Sequence, residues 1–245
     1  MMTLREWLSS APFTLTMSSG FFGFFAHAGV LSVLEEERLL PARASGSSAG
    51  ALATGLWAAG ASAEALVAEL NALVRSDFWD PAPGLGLLRG GRFRDLLARL
   101  LPVRTFAECR IPISISVFDF TDRRTKIIES GELAPAIQAS CTVPLLFHPF
   151  AHEGHALFDG GLFDRPGLAG VPLGARVFYH HLTSRIPFHS LHDRLGRGIP
   201  RRAGMVPFVV ESLPRSDPFR LDEGRRAIDV ASRALRRALD EPVTH

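Results

Sequence analysis

Residues 42–50 read Ala42-Arg43-Ala44-Ser45-Gly46-Ser47-Ser48-Ala49-Gly50. Ala42 to Ser45 is a short strand candidate, and the next five residues follow the pattern G-x-S-x-G. Ala51 to Ala59 then carries small residues with Leu52, Leu56 and Trp57, a helical stretch. A serine between a strand and a helix sits on a sharp, strained turn, so its neighbours two positions away, Gly46 and Gly50, must lack side chains. The turn would expose the Ser48 hydroxyl at the positive end of the following helix. Ser45 and Ser47 lie off its apex. Alone the pattern is weak, and it also fits a glycine-rich helix start that packs closely. The strand before it and the helix after it give it weight.

Toward the N-terminus, Phe13-Thr14-Leu15-Thr16-Met17 alternates and reads as a strand. Ser18-Ser19-Gly20-Phe21-Phe22-Gly23 is a turn, and Phe24 to Arg38 reads as a helix with Phe24, Ala28, Leu31 and Leu34 on its apolar face. Strand, glycine turn and helix thus occur twice in sixty residues, the rhythm of a parallel α/β sheet. In such a turn the backbone N–H groups of Gly20, Phe21, Phe22 and Gly23 can converge on an anion, as an oxyanion hole requires. Of Phe21, Phe22, Phe24 and Phe25, two are expected in the core and one or two on an apolar channel.

Toward the C-terminus, Ser62 can cap a helix over Ala63 to Arg75, residues 77–91 read as a loop, and Phe93 to Leu101 as a short helix. Ile111 to Phe118 and Thr125 to Ile128 read as strands, and Glu132 to Ala139 as a helix. Ala156-Leu157-Phe158 enters Asp159-Gly160-Gly161, and Arg176 to His180 is a further strand. Residues 183–220 read mostly as loop, and Leu221 to Leu239 as an amphipathic helix. With no repeat or long linker, a single domain over 1–245 is expected.

A serine nucleophile needs a base. One candidate is a histidine of a Ser-His-Asp triad, but none of the eight histidines after Ser48 sits in a distinctive motif. The other is Asp159, which ends a strand and opens the Gly160-Gly161 turn, and so can reach the sheet edge that carries Ser48. Its alternative is an ordinary Asp-Gly turn. His148, His152, Glu153 and His155 lack zinc-site spacing and read as a solvated loop, so no metal is expected. His27 reads as a satisfied core histidine, and Cys109 and Cys141 carry no reactive signature.

Composition bounds the rest. The chain is 47% hydrophobic and 21% charged, which excludes disorder as its main state. Its net charge of +2 gives no reason to expect a nucleic-acid partner. Phe13 to Leu34 is interrupted by Thr, Ser, Gly and His, so neither a spanning helix nor a signal peptide is expected, despite Ala26-His27-Ala28. The location implied is cytoplasmic, with peripheral contact at a membrane or lipid-droplet surface left open. Arg92, Arg94 and the run Arg194 to Arg202 read as solvated faces, with an anionic lipid surface as the second reading.

Taken together, the Gly20–Gly23 turn, the Ser48 elbow and Asp159-Gly160-Gly161 resemble the patatin-like acyl hydrolases. Ala26 to Leu31 is similar to the helix after that family's loop, and Ala139-Ser140-Cys141-Thr142-Val143-Pro144 to the small-residue segment before its Asp strand. The resemblance covers residues 13 to about 166. It departs at Ser18, where the family often has glycine, in a loop without Lys or Arg that is closer to the triglyceride-lipase branch. It departs again at Asp164-Arg165, where many members have Asn. The resemblance implies a three-layer α/β/α fold with a mostly parallel sheet, related to the α/β hydrolases. It also implies a lipid or acyl-ester substrate, attack by Ser48, proton transfer through Asp159, and no cofactor. Two other readings stay open: a Ser-His-Asp hydrolase or transacylase, and a lipid-binding module without turnover.

Overall fold

Strand β1 (Thr14–Met17) is buried along its whole length, as a strand flanked on both sides and both faces must be. It is the centre of the computed structural model, which describes residues 2–183 and 198–243. Its parallel neighbours are β2 (Arg43–Ser47) on one side and β9 (Val177–His181) on the other. Beyond these lie β10 (Met205–Val209), parallel to β9, and β4 (Ile113–Asp119), parallel to β2. The fold is mixed α/β around a mostly parallel sheet.

The helices are α1 (Leu4–Ser10), α2 (Phe24–Glu36), α3 (Ala49–Ala58), α4 (Ala63–Ala72), α5 (Gly91–Leu100), α6 (Leu133–Ser140) and α7 (Leu221–Ala238). Leu15, Met17, Ala44, Ile113, Ile115 and Phe178 point to one face, where α2, α3, α6 and α7 bury their apolar sides. The alternate positions Thr16, Ser45, Ser47, Ser114 and Ser116 point to the other. These small polar side chains let residues 164–175 lie close, and Ser45 Oγ donates to the Gly167 carbonyl at 2.6 Å. No described helix is long and apolar enough to cross a membrane.

Strand β4 carries three partners, and their registers position everything that follows. Strand β5 (Arg124–Ile128) pairs antiparallel along one edge, from Ile115 to Asp119. The opposite edge is shared. Strand β2 occupies it up to the pair Ser47–Ser116, and β8 (His155–Asp159), running the other way, begins at the pair Asp159–Val117. Two strands therefore meet end to end, one residue apart along β4.

Several elements escaped the sequence. Helix α1 is set by a Thr3–Glu6 capping box. Strands β3 (Gly86–Leu88) and β6 (Leu145–Phe147) form a parallel pair too short for an alternation to show. The stretch read as a solvated loop is a hairpin of β7 (Phe150–His152) with β8, turned by Glu153 and Gly154, both at positive φ. Residues 183–220 are not all loop, because β10 lies within them. Pro207 argues against a central strand, and the sheet places β10 at its edge, where proline is tolerated.

Candidate active site

At the end of β2 the chain turns through Ser48 with φ 52° and ψ −118°, a conformation that costs a non-glycine residue on the order of 1–3 kcal/mol. Both neighbouring glycines are required sterically. A Cβ on Gly46 would lie 2.5 Å from the Gly50 carbonyl carbon, and one on Gly50 would overlap the Met17 carbonyl. Ser48 precedes α3 but does not cap it with its side chain, as a serine there commonly would. The strained backbone aims the hydroxyl elsewhere: Ser48 Oγ donates to Asp159 Oδ2 at 2.5 Å.

The meeting of β2 and β8 on one edge of β4 is what makes that bond. Ser47 and Asp159 oppose the consecutive residues Ser116 and Val117, so the elbow and the carboxylate face each other over one residue rise, roughly 3.3 Å. The closeness explains Gly160, where a Cβ would overlap the Ser116 carbonyl, and Gly161, where one would meet Ser19. The second carboxylate oxygen, Oδ1, accepts the Gly161 N–H at 2.7 Å. Burial raises the Asp159 carboxyl to about 6, with the bonds from Ser48 and Gly161 pulling the other way.

The segment Ser140-Cys141-Thr142 locks both partners. The Ser48 N–H donates to Ser140 Oγ at 2.9 Å, and that hydroxyl donates to the Ser116 carbonyl at 2.7 Å. Cys141 Sγ approaches the Ser48 carbonyl at 3.3 Å, and the Asp159 N–H donates to the Thr142 carbonyl at 2.8 Å. Sequence reasoning quoted this stretch but gave Ser140 no role. A hydroxyl among small residues just ahead of the Asp strand was the available signal. Burial and the nearby Asp159 hold the Cys141 thiol well above the usual range, so it is protonated and inert.

The glycine turn is more selective than its sequence suggested. The Gly23 N–H donates to the Gly20 carbonyl at 2.8 Å and closes the turn, so it is not available to an anion. The N–H groups of Gly20, Phe21 and Phe22 have no acceptor among the described residues, and all three residues line the cavity that holds Ser48. Ala49, the first residue of α3, adds an N–H with no intrahelical acceptor. Gly20 also packs, because a Cβ there would lie 2.6 Å from Leu182 Cδ1. Gly20→Val is therefore expected to lower both thermal stability and activity, the latter by roughly 10²-fold. Adding Leu182→Ala should return the melting temperature and not the activity. Recovery of both would reduce Gly20 to a packing residue.

The cavity, about 380 Å³, runs from Ser48 and Asp159 between α4 and α5. Leu56, Leu70, Phe78, Leu96 and Phe147 are among its walls, and Glu69 and Arg99, paired at 3.4 Å, lie on its rim. Phe25 is core, whereas Phe21, Phe22 and Phe24 line the cavity, one more than expected.

No described histidine bonds to Ser48. His27 and His180 are fully buried and share an Nδ1···Nδ1 contact of 2.8 Å, with His27 Nε2 on the Ser18 carbonyl at 2.9 Å. Burial lowers the His27 imidazole to about 4. His155 pairs with Asp119 at 2.8 Å, and His148 reaches the Ala82 carbonyl at 3.3 Å. Asp119, Asp122 and His155 bring donor atoms within 4.8 Å of one another, but Asp119 Oδ1 is spent on the N–H groups of Thr121 and Asp122. His189, His192, His245 and residues 194–197 of the arginine run lie outside the described residues.

Residues 15–171 match the family described as patatin-like phospholipase. The chain belongs to that family. It is 28% identical over 172 residues to an uncharacterized NTE family protein of Mycobacterium bovis, a match covering 69% of this chain and 48% of that protein. An uncharacterized NTE family protein of Mycobacterium tuberculosis is 32% identical over 156 residues, covering 61% and 26%. The chain thus spans about half or less of these relatives. The crystal structure of VipD from Legionella pneumophila superposes with a TM-score of 0.67 at 14% identity, over 94% of this chain and 67% of that one, a likeness of fold.

Proposed function

We propose that this patatin-like protein is a serine acyl-ester hydrolase acting on lipids, with Ser48 as nucleophile and Asp159 as the general base. The observation that carries the reading is the 2.5 Å bond from Ser48 Oγ to a buried carboxylate, at the inner end of an apolar cavity. In the first step Ser48 Oγ attacks the ester carbonyl and its proton passes to Asp159. The N–H groups of Gly20, Phe21, Phe22 and Ala49 are the donors proposed for the oxyanion. Collapse of the intermediate expels the alcohol, which takes the proton back from Asp159 and leaves acyl-Ser48. Water then attacks, gives its proton to Asp159, and the acid departs as Ser48 Oγ is reprotonated. The acyl chain lies in the cavity between α4 and α5.

Fluorophosphonate labelling followed by peptide mass spectrometry tests the nucleophile, and a panel of p-nitrophenyl and glycerolipid esters tests the substrate class. An adduct on the Ser48 peptide is expected. An adduct on Ser47, or an active protein that takes no label, would overturn the assignment.

A base must be ionised to accept a proton, and burial sets Asp159 near 6. The acid limb of kcat/KM is therefore expected to rise with pH through about 6 rather than near 4. A profile flat from pH 5 to 8 would remove Asp159 from the role.

A further inference from the structure

Behind Phe147, which lines both, lies a second cavity of about 250 Å³. Its character is the reverse of the first. Arg89, Arg94, Gln138, Thr142 and His148 line it, and among the described residues no Asp or Glu does. The three basic side chains arrive from separate places: Arg89 from the turn ahead of α5, Arg94 from α5 itself, and His148 from the loop after β6.

The arginine geometry is what an oxyanion needs. Arg94 Nε donates to Gln138 Oε1 at 3.1 Å, and Gln138, 5% exposed, is fixed by its own bond to the Gly90 carbonyl at 2.9 Å. With Nε held, the terminal nitrogens of Arg94 have no acceptor among the described residues, and neither has the Arg89 guanidinium. Some arginines elsewhere pair with carboxylates, as Arg43 does with Glu129 and Arg110 with Glu35, and others bond backbone carbonyls, as Arg92 does with Ser76 and Arg225 with Leu73. The acid that reaches Gly90, Asp80, spends its oxygens on the N–H groups of Gly90 and Arg92 at 3.0 and 3.1 Å. Two arginines, both exposed and without a carboxylate partner among the described residues, thus line one polar cavity, the guanidinium of Arg94 oriented by Gln138, and a guanidinium fork matches a tetrahedral oxyanion in two parallel bonds. Thr142 ties this cavity to the reaction centre: its carbonyl holds Asp159, and the preceding Cys141 touches Ser48.

We propose that this cavity binds a phosphate group, carried either on the headgroup of a glycerolipid whose acyl chain lies in the apolar cavity or on a free phosphate compound. The lipid arm rests on the hydrolase reading; phosphate binding itself does not.

Calorimetric titration with inorganic phosphate and with glycerol 3-phosphate tests the site in the wild-type, Arg94→Gln and Arg89→Gln proteins. Arg89 makes no side-chain bond among the described residues, so its variant tests charge without disturbing the Gln138 anchor. Each substitution is expected to weaken binding about tenfold or more. In mixed micelles, the ratio of phosphatidylcholine to diacylglycerol turnover then separates the sources. A ratio that falls with binding assigns the lipid headgroup, and a ratio that holds while binding falls assigns a free phosphate compound. Either outcome supports the site. It is overturned if the wild type binds neither ligand and the ratio does not move, or if both substitutions leave binding and ratio unchanged. Titration needs no turnover, so failure of the hydrolase reading would show separately, as a wild type that cleaves no ester.

Discussion

In the Ser48→Ala protein, ester hydrolysis is expected to fall by on the order of 10⁴-fold or more while the fold stands. The side chain lost is one hydroxyl at the cavity floor, so no core volume goes with it. Alanine keeps the backbone bond to Ser140, which comes from the Ser48 N–H. Ser47 is the control, because its hydroxyl is buried beneath the elbow without a hydrogen-bond partner among the described residues. Ser47→Ala should stay labelled by fluorophosphonate and active within a few-fold, with thermal melts confirming both folds. Comparable loss at Ser47 would move the nucleophile or make the elbow collapse the cause.

Asp159→Asn should fall nearly as far, because members of one catalytic unit are not additive. It separates dyad from triad. Among the described histidines none bonds Ser48, so His→Ala changes at 148, 152, 155, 180 and 181 should each leave far more activity than Asp159→Asn. A histidine whose loss equals that of Ser48 would establish a triad. The same substitution carries a stability signature of opposite sign. Burial lifts the Asp159 carboxyl from an ordinary value of 3.8 to about 6, so between those values the folded protein holds a proton that the unfolded chain has released. Stability then decreases as pH rises through that window and stays reduced above it. Asparagine has no charge to bury. Asp159→Asn should therefore unfold at higher denaturant than wild type above pH 6, with the difference shrinking toward pH 4. A variant less stable than wild type at pH 7 would mean that the bonds to Ser48 and Gly161 outweigh the buried charge.

Much of this was legible because the chemistry demands unusual residues at fixed offsets. Gly46 and Gly50 flank Ser48 for a clash that any Cβ would produce, and alternating apolar residues and serines in 111–118 announced a strand. Other features were hidden for physical reasons. The Gly23 N–H is internal to its turn, which only the three-dimensional hydrogen-bond pattern reveals. The Ser140 contact with Ser48 joins residues 92 positions apart. Strand β10 carries a proline that an edge tolerates, and β3 and β6 are too brief for any period. Residue types alone left both dyad and triad open, with no histidine in a distinctive motif; register on β4 favours the dyad.

The end-to-end meeting of β2 and β8 on that strand also bears on how the protein fails. Neither Ser48 nor Asp159 hangs on a loop that can open alone. Asp159 ends β8 and Ser48 directly follows β2, two strands hydrogen-bonded to the same central neighbour, and their separation is a property of the sheet ladder. Local opening draws on segments with few buried contacts, whereas central strands open only near the global unfolding free energy. Catalytic competence should accordingly be lost in the same cooperative transition as the sheet: in a denaturant titration, residual activity and far-ultraviolet circular dichroism should trace one curve. The amides of β4 should exchange with solvent as slowly as any in the molecule. Enzymatic assay then becomes a direct gauge of the folded fraction.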